Sequence, residues 1–367
     1  MSRIKLLHMV EDLCMGGLEK VVYNLCLHMD ATRFDTRVWC LTKGGVMAER
    51  LAGRGLRPEV LGMGPKPTLR FVWDLAAKLR GEGIQILHTH GYTAGAVARA
   101  AGVLAWTPRI IAHVHTTCEI LEPKQLWTDR FLSLFTNRIL CCSQAVADSV
   151  AERERIPRQK LRVVYDGTPR MALPETAGLR QRLGIPERDA VLLCAASLTS
   201  HKGHRYLLDA LPLVLERFPN TSLILAGDGP LRTQLQEQSS RLEIGPKVIF
   251  AGICPEIGEL LGITDIAVLA SSEREGLSLW LAEAMSAGKP LVAPSLGGTP
   301  EILMDKANGL LVPPRDSSAL ARAIIDILSS PALAQSLRAG SERIYMERFT
   351  MEEMSAAVAS VYEEDHA

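Results

Sequence analysis

The segment "IKLLHMVEDLCMGGLEKVVYNLCLH", residues 4–28, shows the plan on which this chain is built. It opens with a short apolar run, Ile4 to Val10, that predicts a buried strand, and it closes with a helical stretch from Gly17 to His28. Gly16 and Gly17 lie between the two. A strand, a glycine turn and a helix in this order are the repeating element of parallel α/β sheets.

The same alternation runs along the chain and is interrupted once. After Tyr165 a stretch rich in Pro, Gly and Thr follows, and the alternation then restarts. Further strands are predicted at 36–41, 84–88, 110–115, 138–142 and 161–165, and after the interruption at 191–195, 222–226, 248–251, 266–270 and 291–293. We therefore predict an α/β protein with two Rossmann-like domains, residues 1–166 and 167–349, that face each other across a cleft. The final helix, within 350–367, has no strand after it and is expected to cross back to the first domain.

The composition fits a two-domain globular protein. The 367 residues are 47% hydrophobic and 22% charged, which is enough for a sizeable core. The eight cysteines form no C-x-x-C pair and several lie in apolar runs, which predicts reduced thiols. We find no cleavable signal and no run of about 18 apolar residues, so we expect a cytoplasmic protein that does not span a membrane.

The two halves of the chain carry opposite charge, although the whole chain has a formal net charge of zero. Residues 1–170 contain 24 Lys and Arg against 16 Asp and Glu, while residues 171–367 contain 17 against 25. The basic half is therefore expected to meet something anionic.

Cations occur beside aromatic residues in two segments of the basic half. The first is "PKPTLRFVWDLAAKLR" (65–80), with Lys66, Arg70, Phe71, Trp73, Lys78 and Arg80, and the second is "QLWTDRFLSLFTNR" (125–138), with Trp127, Arg130, Phe131, Phe135 and Arg138. This combination suits an anionic surface, such as the inner face of the cytoplasmic membrane. Helices that cover a sheet also need apolar stripes, so Trp73, Phe131 and Phe135 are expected in the core. Only the charge argument for membrane contact then remains.

Three histidines, His88, His90 and His115, lie at predicted strand ends in "HTHG" and "HVHT". Two histidines spaced i, i+2 on a strand are compatible with a metal site, but no carboxylate or cysteine cluster completes a ligand set, so no metal is expected. Hydrogen-bond donation near a developing charge and a structural role both stay open.

Glycine-rich loops follow three predicted strands and allow an anion to approach the backbone. They are Gly16-Gly17, Gly227-Asp228-Gly229 and Gly297-Gly298. Lys202, at the start of a helix in "SLTSHKGHRYLLDAL", is well placed for phosphate oxygens. Ordinary tight turns and an exposed lysine are the alternatives.

The segment "EREGLSLWLAEAM", residues 273–285, spaces Glu275 and Glu283 eight positions apart. Glu283 belongs to an apolar helix, where an unpaired charge is costly. Either this side chain lies on the solvent face or it has a functional partner.

The order of "ASLTSHKG", "LAGDGPLR", "VIFAG", "EREGLSLWLAEAM", "GKPLVA", "GGTPEIL" and "GLLVPP" resembles the C-terminal domain of the family 4 glycosyltransferases. "GGLE", "HTHG", "HVHT" and "CCSQAVADSV" resemble the N-terminal elements of that family, so the likeness covers nearly all of the chain. It implies the two-domain GT-B fold, and Glu275 and Glu283 match the E-x7-E motif of the family.

The resemblance also implies roles for individual residues. Glu283 would accept hydrogen bonds from two hydroxyls of the donor ribose, and Glu275 would contact the hydroxyls of the transferred sugar. Lys202 would stabilise the leaving diphosphate, and His115 matches the histidine near the anomeric region of the sugar. The other expected donor-binding residues are Gly16, Gly17, Ser197, Gly227 and Gly229, together with the backbone amides of Gly276, Leu277 and Ser278.

Two positions depart from the family pattern. Ser197 stands where the "GRL" segment has Arg, so half of the usual cationic clamp is missing, and either another group replaces it or turnover is weaker. The interdomain N-G-[IV]-D appears as Asp166-Gly167-Thr168-Pro169, which is expected to change a hinge more than a catalytic group.

The resemblance predicts a retaining transferase that works on one face of the sugar, without cofactor or metal. Its expected partners are a UDP- or GDP-sugar donor, a glycan or lipid-linked acceptor and an anionic membrane surface, but no nucleic acid. The expected setting is exopolysaccharide, lipopolysaccharide or other cell-envelope assembly. Two alternatives stay open, a nucleotide-sugar 2-epimerase of the same fold and a nucleotide-sugar-binding pseudo-enzyme, the latter because of Ser197.

Overall fold

The computed structural model describes residues 3–364 and divides the chain into two compact units. The first unit comprises the residues up to Gly167 together with the C-terminal segment from Met351, and the second comprises Thr168–Thr350. Each unit is built around a parallel sheet with helices between its strands, which confirms the predicted pair of Rossmann-like domains.

The first unit contains seven strands before its C-terminal segment. They are β1 (Ile4–Asp12), β2 (Phe34–Lys43), β3 (Glu59–Val60), β4 (Ile86–His90), β5 (Arg109–Val114), β6 (Arg138–Cys141) and β7 (Leu161–Val163). The helices are α1 (Gly17–His28), α2 (Val46–Gly53), α3 (Leu69–Glu82), α4 (Tyr92–Ala105), α5 (Pro123–Ser133) and α6 (Gln144–Ser149). The strands lie in the order β3-β2-β1-β4-β5-β6-β7. Successive strands are added on one side of β1 as far as β3 and on the other side from β4 onward, so the strand order reverses between β1 and β4. Ligands of such sheets bind beyond the carboxyl ends of the strands at this point.

The second unit contains six parallel strands. They are β8 (Ala190–Ala195), β9 (Thr221–Ala226), β10 (Val248–Gly252), β11 (Ile266–Val268), β12 (Leu291–Pro294) and β13 (Gly309–Val312). The helices are α7 (Leu179–Arg182), α8 (His204–Arg217), α9 (Arg232–Arg241), α10 (Ile257–Gly262), α11 (Leu279–Ser286), α12 (Thr299–Ile302), α13 (Ser317–Ser329) and α14 (Pro331–Arg348). The order β10-β9-β8-β11-β12-β13 puts the reversal between β8 and β11.

The strands that the sequence did not predict are β3 and β13, and both lie at the edge of a sheet. Inner strands such as β9 are buried along their whole length, because helices cover both faces of a parallel sheet. The two-residue strand β3 is exposed and has no such apolar run. Periodicity therefore identifies the inner strands better than the edges.

The last helix, α15 (Met351–Glu363), belongs to the first unit. Tyr362 packs edge-on against Phe34, and its hydroxyl lies 2.5 Å from Nδ1 of His88. Just beyond the helix, Glu364 accepts hydrogen bonds from Arg138 and Arg162. This acidic segment changes the charge balance, since the residues of the first unit total 23 Lys and Arg against 21 Asp and Glu. The end of the chain thus largely neutralises the basic first half.

The aromatic residues predicted for the core are on the surface, so this prediction was wrong. Trp73, Phe131 and Phe135 are 61%, 61% and 48% exposed. The reason is helical phase. In α3 the inward residues are Leu75, Ala76 and Leu79, which leaves Trp73 outside, and in α5 Asp129 and Leu132 point inward, which leaves Phe131 outside. No helix within residues 3–364 is both long and apolar enough to cross a membrane.

Candidate functional site

The candidate site of the second unit is built from two loops at the point where its sheet reverses. One follows β8 and contains the 3₁₀ turn Ser200–Lys202, and the other joins β11 to α11. The backbone N–H of Ser272 donates a 2.8 Å hydrogen bond to the carbonyl oxygen of His201. This bond ties the loop of Glu275 to the turn of Lys202.

Lys202 and Glu275 form a buried ion pair at this junction. The ammonium Nζ lies 2.9 and 3.1 Å from the two carboxylate oxygens of Glu275. The hydroxyl of Ser271 donates a further hydrogen bond of 2.6 Å to the same carboxylate. The Glu275 side chain is only 7% exposed and that of Lys202 is 21% exposed, so the lysine is the partner that a ligand can reach.

Glycines hold the neighbouring loops against this pair. Gly297 has a φ of +53°, and a Cβ there would lie 2.0 Å from the carbonyl oxygen of Glu275. Gly227 has a φ of +142°, and a Cβ there would lie 2.1 Å from the carbonyl oxygen of Ala196. A Cβ on Gly229 would likewise meet the backbone of Leu198. The two predicted donor-binding glycines therefore have a structural role in packing the loop that carries Ser197.

Glu283 lies on α11, and every residue of this helix is buried. The helix starts after Ser278 and is anchored by the indole N–H of Trp280, which donates a 3.1 Å hydrogen bond to the carbonyl oxygen of Val268. Glu283 is 5% exposed, which excludes the solvent-face interpretation. The predicted amide donors Gly276, Leu277 and Ser278 lie on the loop between the two glutamates, and all three residues are buried.

Ser197 is exposed, and its hydroxyl lies 3.3 Å from that of Thr199. A second cation besides Lys202 stands nearby on the Glu275 loop. Burial, and then the charges of Lys202 and Arg274, lower the pKa of His201. Arg274 forms no hydrogen bond or ion pair with any residue between 3 and 364.

In the first unit, Gly16 and Gly17 form the turn from β1 into α1, as predicted. Gly16 is the N-cap residue and has an extended backbone with a φ of −165°. A Cβ there would lie 2.2 Å from a carboxylate oxygen of Glu19, whose pKa is raised chiefly by burial. The turn is thus closed over a glutamate that the sequence analysis did not single out.

Five histidines gather on one face of the first sheet, at the carboxyl ends of β1, β4 and β5. Strand register explains the cluster: His8 pairs with His88, and His90 pairs with His113. His115 follows two positions after His113 and so returns to the same face. The sequence analysis missed His8 and His113, although the i, i+2 spacing in "HVHT" already carried the signal for His113.

The ring nitrogens in this histidine cluster are arranged in a chain. His8 Nδ1 lies 3.0 Å from His90 Nε2, and His90 Nδ1 lies 3.2 Å from His115 Nε2. Asp166, whose segment was expected to change a hinge more than a catalytic group, has a side chain that is 5% exposed and lies 3.5 Å from His115 Nδ1. His115 therefore has one ring nitrogen directed at His90 and the other at Asp166. Its predicted contact with the sugar stays a prediction.

Burial determines the protonation of most of these rings. It lowers the pKa of His8 to about 3 and holds the pKa values of His88, His90 and His113 well below the usual range. These imidazoles are neutral at physiological pH, which leaves each one a lone pair for a hydrogen-bond donor or a metal ion.

Two family profiles match the chain, each over one part of it. The profile described as "Glycosyltransferase Family 4" matches residues 15–169, and the one described as "Glycosyl transferases group 1" matches residues 176–343. The resemblance noted from the sequence is confirmed.

Individual relatives span most of the chain. EpsD of Bacillus subtilis, which is named as a glycosyltransferase, is 30% identical to this chain over 294 residues. The matched region is 76% of each chain. Alpha-D-kanosaminyltransferase of Streptomyces kanamyceticus is 23% identical and covers 83% of this chain and 84% of its own. The crystal structure of Anabaena HepE in complex with UDP-glucose has a TM-score of 0.88 at 22% identity, over 98% of this chain and 99% of that one, and shows the fold. The chain belongs to the glycosyltransferases, with a family 4 domain followed by a group 1 domain on the GT-B fold.

Proposed function

We propose that this glycosyltransferase moves a sugar from a UDP- or GDP-sugar to an acceptor hydroxyl with retention of configuration, in the assembly of a cell-envelope glycan. The observation that carries the proposal is the Lys202–Glu275 pair, whose glutamate lies on the loop leading to the helix of Glu283. A nucleoside diphosphate needs a cation and its sugars need carboxylate acceptors, and these three side chains supply both. HepE, a structural neighbour, binds UDP-glucose, which supports the donor class.

Each residue has a distinct task in this proposal. Glu283 accepts hydrogen bonds from the ribose hydroxyls, which accounts for a carboxylate on a buried helix. Glu275 receives the transferred sugar, and the backbone amides that follow it reach the sugar ring or diphosphate. Lys202 is held by Glu275 in the free enzyme and stabilises the diphosphate as it gains charge during bond cleavage. No metal is needed at the diphosphate in this proposal, because Lys202 and the backbone amides stabilise its charge.

Arg274 replaces the missing arginine of the clamp. It lies on the same loop as Glu275, its charge acts on His201 in the Lys202 turn, and it is not engaged elsewhere. Ser197 itself offers only a neutral hydroxyl. A second cation from another loop makes an active enzyme a better interpretation than a pseudo-enzyme.

The acceptor is glycan or lipid-linked, and an exposed aromatic stripe supports contact with a membrane. The stripe consists of Trp127, Phe131, Leu134 and Phe135 on and just after α5, and these side chains are between 48% and 69% exposed. The guanidinium of Arg130 lies 5.4 Å from the centre of the Trp127 ring. Aromatic residues with adjacent cations suit the interface of an anionic bilayer.

Donor binding and product analysis test the proposal together. A thermal-shift panel of UDP-, GDP- and ADP-sugars should identify the donor, because a bound ligand raises the melting temperature by mass action. The product formed with an acceptor extract then separates the three functions: a new glycoside indicates transfer, an altered free sugar indicates epimerisation, and donor binding without turnover indicates a pseudo-enzyme. Activity lost in EDTA and restored by Mg²⁺ or Mn²⁺ would contradict metal-independent transfer.

A further inference from the structure

The histidine cluster of the first unit contains more unpartnered polar atoms than hydrogen bonding within the chain can satisfy. Four of them lie together: both ring nitrogens of His113, Nδ1 of His115 and Oδ1 of Asp166 are buried and have no hydrogen-bond partner among residues 3–364. Buried polar groups are normally paired, and each orphan costs free energy. A group of four at one place calls for a further partner, such as water or an ion.

Three of the histidines can share one ion. One ring nitrogen from each of His90, His113 and His115 can be chosen so that all three lie within 4.8 Å of one another. Nδ1 of His90 and Nε2 of His115 are 3.2 Å apart. Two nitrogens on a tetrahedral zinc ion, each at about 2.0 to 2.1 Å, are separated by about 3.3 to 3.4 Å. The observed spacing matches this value with little movement.

The outer nitrogens of the same rings then face polar atoms that can accept their protons. With Nε2 of His115 on the ion, its Nδ1–H faces Oδ2 of Asp166 at 3.5 Å, and Nε2 of His113 faces Oδ1 at 3.9 Å. Nε2 of His90 lies 3.0 Å from Nδ1 of His8. A ligating histidine usually donates its other N–H to a carboxylate or a similar acceptor, which fixes the ring and its tautomer. Asp166 stands behind two of the three rings in this way.

The charges also favour a cation. Asp166 forms no ion pair with a lysine or arginine in the described part of the chain, and its carboxylate faces the rings of His115 and His113 at 3.5 and 3.9 Å. A divalent ion among these imidazoles supplies the missing positive charge.

We propose that His90, His113 and His115 bind a divalent first-row transition-metal ion, best matched by Zn²⁺, with Asp166 as the carboxylate that orients two of the ligands. Three imidazole ligands leave a fourth position open to water or to an oxygen of a bound molecule. The other histidine triple, His8, His88 and His90, is less suited, because Nδ1 of His88 is already bonded to Tyr362 and no carboxylate stands behind it. The site lies in the first unit and does not rest on the donor chemistry proposed for Lys202, Glu275 and Glu283. With one ring nitrogen on the ion and the other facing Asp166, His115 would not make the sugar contact predicted from the sequence.

Metal content of the full-length chain tests this directly. The protein is purified without a polyhistidine tag or chelator and analysed by mass spectrometry for zinc, cobalt, nickel, iron, manganese and copper. We expect about one zinc ion per chain, a rise in melting temperature when ZnCl₂ is added to stripped protein, and visible ligand-field absorption with Co²⁺. Metal-free protein whose melting temperature ignores ZnCl₂ would overturn the proposal whatever the transferase activity.

Variants assign the ligands. His113→Gln should abolish stoichiometric zinc, and Asp166→Asn, which keeps the side-chain shape, should weaken zinc affinity about 10- to 100-fold. His88→Gln should retain zinc and separates the two histidine triples. His204→Gln is the matched control, because His204 is buried in the second unit with both ring nitrogens unpartnered but belongs to no such group. Loss of zinc in His88→Gln but not in His113→Gln would overturn the assignment.

Discussion

Glu275 and Asp166 are both buried carboxylates at the carboxyl end of a parallel sheet, yet only Glu275 has a cation. Glu275 in the second unit accepts hydrogen bonds from Lys202 and Ser271, whereas Asp166 in the first unit faces two imidazoles at 3.5 and 3.9 Å. The first arrangement is complete without a ligand, and a substrate must share its lysine. The second is incomplete, and its missing component is positive. The same fold thus builds a candidate site for a diphosphate in one unit and a candidate site for a cation in the other.

The largest effect is expected from breaking the complete pair. Lys202→Ala removes the cation that we propose faces the leaving diphosphate, so kcat should fall about 10²- to 10³-fold, equivalent to about 2.7 to 4 kcal/mol, while donor affinity changes less. Steady-state kinetics and donor titration calorimetry measure the two quantities.

Lys247→Ala is the matched control for this variant. Lys247 also pairs with a buried carboxylate in the second unit, that of Asp189, at 2.7 Å. Its removal should lower stability and leave kcat unchanged. Equal losses of kcat in the two variants would mean that Lys202 acts only by holding the loop together.

Glu283→Gln should affect binding of the donor instead of the chemical step. The substitution keeps the shape of the side chain but weakens two charge-assisted hydrogen bonds, so donor affinity should fall by about 1.5 to 3 kcal/mol. Calorimetric titration with the donor identified by thermal shift gives the value. Glu237→Gln, at an exposed position of α9, should bind like wild type. Unchanged affinity in Glu283→Gln would contradict the ribose assignment.

The replaced clamp predicts a smaller change. Arg274→Ala should lower kcat about tenfold, or about 1.4 kcal/mol, and Ser197→Arg introduced into that variant should recover most of the loss. The four rates of this double-mutant cycle are measured with one donor and acceptor. If Arg274→Ala has no effect while Ser197→Arg alone raises turnover, the natural enzyme has an incomplete clamp.

The histidine cluster makes stability depend on pH in the direction opposite to that of a salt-bridged histidine. A histidine in the unfolded chain has a pKa of about 6.5, while burial lowers the pKa of His8 to about 3 and that of His204, in the second unit, to about 4. Below pH 6.5 the unfolded state therefore binds protons that the folded state does not. Stability should be full above this pH and should fall by about 1.4 kcal/mol per pH unit for each such histidine as the pH drops toward the folded-state pKa.

Urea unfolding of chelator-treated protein at pH 7.5, 6.5 and 5.5 measures this slope. In His8→Gln the free energy of unfolding should fall less on acidification, by the amount that one buried histidine contributes, because glutamine does not titrate. A free energy of unfolding that is the same at pH 7.5 and 5.5 would show that the buried rings are not neutral.

The sequence predicted the sheets and the second-unit site better than it predicted the first-unit cluster, and the reason is physical. Local patterns determine strand interiors and loop glycines, so Lys202, Glu275 and Glu283 could be singled out from short segments, whereas their expected roles came from the resemblance to the family. The cluster of His8, His113 and Asp166 depends on the register of three strands and on a segment more than fifty residues downstream of His113, which no local pattern encodes. The prediction that the aromatic residues of α5 lie in the core was wrong for a related reason. Which face of a helix meets the sheet is decided by the elements packed around it.

The smallest effect is expected for membrane binding, in a comparison of two surfaces of the first unit, α3 and the aromatic stripe of α5. The basic side chains of α3 are largely engaged: Lys78 pairs with Glu59, and Arg80 donates to the carbonyl oxygen of Leu104. The stripe keeps its aromatic rings exposed, so membrane contact should depend on α5 more than on the charges of α3.

The double variant Trp127→Ser/Phe131→Ser should bind vesicles of anionic phospholipid about fivefold more weakly, or by about 1 kcal/mol, since neighbouring apolar groups remain. Trp73→Ser, the matched aromatic on α3, should change binding little. Vesicle co-sedimentation at low and high salt measures both variants, and the loss should be similar at both because burial of apolar surface is not screened. Wild-type protein that ignores anionic vesicles at low salt would indicate a soluble acceptor, and a change of oligomeric state in the double variant without lipid would make the stripe a contact between copies of the chain.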